Sequence, residues 1–224
     1  MPDEEMDAQA AARLIRETRD HAYDRLAIKQ PRLYAIWGVA WLTGLGSMWL
    51  SVRGQHPYAG PSGVSEAILG VLIGLALVAS MVVVGRATRG IGGTSSRQGM
   101  LYGLSWAAGL AAVFTIDGAL AHAGASARVM GVAGAAGPLL VTGLIYLVAS
   151  AIWLDRVMFG VGLWLLAITA AGAWTGPVGL LLTGALAGGG GFLAGAALLA
   201  FRSGAAFRKG SASRKGSASR KGGA

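Results

Sequence analysis

The chain has 224 residues, of which 54% are apolar and only 13% charged, with a formal net charge of +9 and no cysteine. Its apolar residues fall in blocks of about twenty, the length a helix needs to cross ~30 Å of hydrocarbon at ~1.5 Å per residue. That excludes an ordinary soluble domain, and the missing cysteines exclude a disulfide framework, a thiol nucleophile and a thiolate metal site.

The pattern predicts an all-α protein: a polytopic transmembrane six-helix bundle, preceded by a cytoplasmic amphipathic helix and followed by a disordered basic tail. Residues 1–32 form the lead segment. Acids come first at Asp3, Glu4 and Glu5 and bases later, the order that complements a helix dipole. Met6, Ala10, Leu14, Ala22 and Leu26 give a narrow apolar stripe, which fits either a helix lying on the membrane surface or a solvated one leading into it. No short basic start followed by an apolar core opens the chain, so the first span is expected to act as its own insertion signal.

The spans are expected at 33–52, 66–85, 99–116, 133–153, 157–174 and 178–201. In the first, Trp37 and Trp49 read as interfacial anchors, while Trp41 lies deeper and reads as core, the favoured reading, or, with Trp37 and Met48, as the lining of a cleft. The loop from Arg53 to Ser65, with its glycines and prolines, reads as turns; Ser62 or Ser65 is placed to cap the second span. Before the third span, Ser95 and Gln98 have capping-box spacing, and the glycines around them offer a weaker alternative as a phosphate cradle. Asp117 is expected at the far interface, paired with Arg128. Asp155-Arg156 and Thr175-Gly176-Pro177 are tight links that make spans four, five and six successive antiparallel neighbours.

Residues 202–224 change character. Gly-Ser-Ala-Ser-Arg-Lys occurs at Gly210 and again at Gly216, and such low apolar content with like charge predicts disorder. Anionic lipid is the expected partner of this tail; a non-specific nucleic-acid contact is disfavoured. Six Lys or Arg precede the first span, three lie between the second and third, one between the fourth and fifth, and seven in the tail, leaving Arg53 and Arg128 for the other side. The positive-inside rule then places both termini in the cytoplasm of a multi-pass plasma-membrane protein.

No ionisable side chain falls near the middle of any expected span, which argues against a proton relay but not against carriage of an apolar molecule. On the non-cytoplasmic side His56, Glu66, Asp117 and His122 are a candidate polar cluster, although no metal-ligand spacing supports it. No cofactor and no metal is expected, and no nucleophile–base pair marks an enzyme. The remaining candidate is Gly184, Gly188, Gly191 and Gly195, which would lie along one face of a regular sixth helix, either as a seat for another helix, the favoured reading, or as a substrate groove. Other glycine pairs at the same four-residue spacing are Gly70 with Gly74, Gly99 with Gly103, and Gly172 with Gly176.

The blocks Trp37-Gly-Val-Ala-Trp-Leu42, Ser95-Ser-Arg-Gln-Gly-Met-Leu-Tyr-Gly103, Ala151-Ile-Trp-Leu-Asp-Arg-Val-Met-Phe-Gly160 and Ala187-Gly-Gly-Gly-Gly-Phe-Leu193 resemble a group of uncharacterised six-span integral membrane proteins of actinobacteria. The resemblance covers residues 10 to 201. Some members are labelled transporters without an assigned substrate, so it implies topology and host type and carries over no functional residue. The expected function is carriage or export of a small apolar or amphipathic molecule. The alternative is a non-transporting membrane subunit, with a second copy or another membrane protein as partner, bound through the lead helix or a glycine face.

Overall fold

The structure, a computed structural model, describes residue 10 and residues 30–87 and 94–201. The stripe of the lead helix, the phosphate cradle around Gly92 and the basic tail lie outside the described residues. Six helices are long and apolar enough to cross a membrane: α1 (Gln30–Val52), α2 (Gly63–Ala87), α3 (Thr94–His122), α4 (Ala127–Trp153), α5 (Arg156–Trp174) and α6 (Gly176–Phe201). The protein is an integral, multi-pass membrane protein, helical and without a strand among the described residues.

Local chemistry accounts for the helix ends. Ser62 accepts the Ser65 amide at 3.3 Å and starts α2, while Ser51 and Ser62 both hydrogen-bond the buried Ser65 hydroxyl at 3.2 Å, tying the end of α1 to the beginning of α2. Asp155 caps α5 by accepting the amides of Val157 and Met158. The chain reverses just before it, where Leu154 takes a left-handed backbone at φ 53°. At the other link Gly176, at φ 79°, frees Pro177 to begin α6 with its fixed φ and absent amide. One cap falls elsewhere than expected: α3 already includes Thr94, so Ser95 stands inside its first turn rather than ahead of it.

Packing is centred on α6. It touches α1, α4 and α5, while α2 lies against α1 and α3 against α4; α2 and α3, though consecutive, have no substantial interface. Helices one to three therefore form no body of their own. In the most apolar stretches of α2 and α3 only 6% and 0% of residues are buried, so nearly all of their surface is left to lipid.

Without a hydrophobic drive between helices in hydrocarbon, close packing and dispersion must hold them together. Two glycine pairs supply the closest approaches. On α1 and α6, a β-carbon on Gly38 would stand 3.0 Å from the Gly189 carbonyl, and one on Gly189 would stand 3.0 Å from the Gly38 carbonyl and 2.5 Å from the Leu42 nitrogen. On α4 and α5, a β-carbon on Gly162 would stand 2.9 Å from the Gly143 carbonyl. Neither pair belongs to the four-residue spacings in the sequence. Gly70, Gly74, Gly99 and Gly103, which do, have nothing within 4 Å of a β-carbon position.

Candidate functional site

Residues Gly184–Gly189 form a π-helical turn inside α6. The Gly190 amide reaches back to the carbonyl of Ala185, five residues earlier. One extra residue in a turn rotates everything after it by ~100° relative to an uninterrupted helix. Small side chains make this affordable, because Gly184, Ala185, Ala187, Gly188 and Gly189 have little side-chain packing to lose.

Gly184 faces Leu45 of α1 and Leu139 of α4, Gly188 faces Trp41 of α1 and Ile168 of α5, Gly191 faces Trp164 of α5, and Gly195 faces Tyr34 of α1. Three of the four glycines thus meet α1, at Leu45, Trp41 and Tyr34, and the fourth, Gly191, meets α5. Gly190, in the middle of the run, has nothing within 4 Å of a β-carbon position.

Beside the turn the helices part. A groove of about 400 Å³ runs between α5 and α6, with Tyr34 of α1 in its lining, and Gly188, Gly191 and Gly195 lie along it, whereas Gly184 does not. Gly160 of α5 also lines it, with open space where its side chain would be. Apolar side chains, among them Val161, Leu165, Phe192 and Leu199, form the walls, and Arg156 stands at the rim. The volume falls within the range of small-molecule sites, ~300–1,000 Å³.

Two contacts hold the walls. Trp164 donates its indole N–H to the Ala187 carbonyl at 2.9 Å, inside the π-helical turn. Phe192 is buried and meets Tyr34 at 5.6 Å and Trp41 at 5.5 Å, both edge to face, and Tyr146 of α4 at 6.2 Å. From Tyr146 a chain of ring contacts continues through Trp106 and Tyr102 of α3 to Trp153 of α4. The expectation that Trp41 belongs to the core agrees with its 8% exposure, and Trp37 donates to Ser80 of α2 at 3.1 Å.

The polar cluster does not assemble. His56, Glu66 and His122 are exposed and Asp117 is half-buried beside Gly134; among the described residues no three His, Asp or Glu side chains lie close enough to hold a metal ion. Nor does Arg128 pair with Asp117, since its guanidinium lies over the turn at Gly176, 3.4 Å from the β-carbon position there. The reason is that α3 does not stop at residue 116 but continues through Asp117 to His122, carrying the carboxylate along the side of α4. The same end of the bundle is plugged by Tyr58, whose hydroxyl packs against Gly131 of α4 and is buried without a hydrogen-bond partner among the described residues. Burial, and secondarily the Glu66 carboxylate, push its pKa above the usual value of 10.0.

No family model, curated protein or solved structure matches this chain. Sequence reasoning missed Gly38, Gly189, Gly160, Phe192 and Arg156. For Phe192 a signal was present, as an aromatic directly after four glycines has unusual room around it; for the others no spacing distinguished them.

Proposed function

We propose that the protein is a carrier or exporter of a small apolar or amphipathic molecule, working in the plasma membrane with both termini cytoplasmic. The observation that supports this is the apolar groove between α5 and α6, set against a helix whose backbone is already interrupted by a π-helical turn. Such turns recur at functional sites because they release backbone groups and alter side-chain phase. The resemblance to six-span actinobacterial proteins, some labelled transporters, agrees with this reading, and the Lys and Arg distribution supports the orientation. Purified protein in liposomes should give saturable flux of an amphipathic substrate; absence of flux for every such substrate, with unchanged drug and lipid sensitivity in a deletion strain, would overturn it.

A second reading, a non-transporting subunit, draws support from the nearly unburied α2 and α3. Recovery of one stoichiometric membrane partner, lost on removal of residues 3–30, would favour it over the carrier.

A further inference from the structure

The groove has a length, an orientation and a charged end. Arg156 and Trp164, eight residues apart on α5, are separated by ~12 Å along the axis, and Gly188 to Leu199 on α6 spans ~16 Å. That is about half of the ~30 Å hydrocarbon thickness, so the groove occupies one leaflet. It lies at the end of the bundle that carries Arg32, Arg86, Arg97 and Arg156. The neighbouring carboxylate, Asp155, accepts the amides of Val157 and Met158 on its Oδ1. At the rim the exposed Arg156 guanidinium can reach the interface while its stem stays in hydrocarbon.

We propose that this groove binds one acyl chain of a single-chain anionic amphiphile, a fatty-acid carboxylate, with the chain along Gly160, Gly191 and Phe192 and the carboxylate on Arg156. The proposal rests on the carrier reading and names its substrate class. Walls that are apolar but for Tyr34 and Trp164, whose N–H is already bonded, suit a hydrocarbon chain. A planar guanidinium at one end suits a carboxylate, which it binds through two parallel hydrogen bonds. The glycines on both helices create the width: at Gly160 and Gly191 any larger side chain would occupy the path of the chain.

The test uses full-length protein in nanodiscs of zwitterionic lipid with a photoactivatable palmitate, and maps the labelled peptides. Labelling is expected on α5 after Arg156 and on α6 after Gly191. Arg156→Gln should raise the half-saturating palmitate concentration about tenfold, the loss of one charge-assisted contact, and Arg156→Lys should recover much of it. Gly160→Leu fills the groove without meeting a neighbour and should abolish labelling, whereas Gly190→Leu, also in open space but outside the groove, should leave it unchanged. Labelling spread over the exposed faces of α2 and α3 and indifferent to Gly160→Leu, no labelling at all, or displacement by phosphatidylglycerol as effective as by free palmitate would each overturn the proposal. Groove labelling without palmitate flux in liposomes retires the carrier reading and leaves the site; flux without groove labelling does the reverse.

Discussion

Trp164 of α5 donates its indole N–H to the carbonyl of Ala187 in α6, 2.9 Å away, at the turn where α6 departs from regular helical bonding. The same carbonyl also accepts the Gly190 amide. In hydrocarbon, where water cannot substitute, such a side chain gives the carbonyl a second donor beside the Gly190 amide.

Replacing it tests how much the turn depends on that bond. Trp164→Phe keeps an aromatic wall and removes only the donor, so a loss of about 1 kcal/mol is expected, the low end for a hydrogen bond because one partner remains. A thermal melt in detergent unchanged from the wild type would show that the π-helical turn holds by itself.

Adjacent glycines in the run should respond oppositely. A side chain at Gly189 would strike the backbone of α1 at Leu42 and Gly38, whereas at Gly190 it would meet nothing. Gly189→Leu should therefore prevent a monodisperse folded protein, while Gly190→Leu should elute normally and gain a few tenths of a kcal/mol, as leucine forms helix better than glycine by somewhat less than ~1 kcal/mol. Size-exclusion profiles of the two variants decide the matter, and equal behaviour would contradict the α1–α6 packing.

Gly191 tests groove against packing. Its β-carbon position is 3.1 Å from the half-exposed Trp164 indole nitrogen, a side chain that can move, not a backbone. Gly191→Leu should give folded protein with flux at least tenfold lower; aggregation instead would make this glycine a packing residue.

Tyr58 carries the pH dependence. Its hydroxyl is buried and unpartnered among the described residues, so Tyr58→Phe should be neutral or stabilising by up to about 1 kcal/mol. The raised pKa also has a sign. An unfolded tyrosine loses its proton near pH 10 while the folded one still holds it, so the contribution is complete below pH 10 and declines as pH rises from there towards the folded value. Unfolding at alkaline pH should be less steep in Tyr58→Phe than in the wild type, and identical slopes would exclude Tyr58 as a source.

The chain by itself determined the class of protein and the number of spanning helices, because the hydrocarbon imposes a length and an apolarity that can be counted residue by residue. Turn chemistry was also local: Asp155 before α5, Ser62 before α2, and Gly176-Pro177 before α6 satisfy backbone groups a few residues away. What only the tertiary structure decided was which face of each helix meets which neighbour. The even spacing of Gly184, Gly188, Gly191 and Gly195 assumed a regular helix; the structure has a π-helical turn there, with three of the four against α1 and Gly191 against Trp164 of α5. Gly38 and Gly189, separated by most of the chain, are bound to each other by backbone proximity that no local pattern encodes. The groove arises in the same way, from α5 and α6 parting beside glycines whose spacing is unremarkable in a chain with 37 of them.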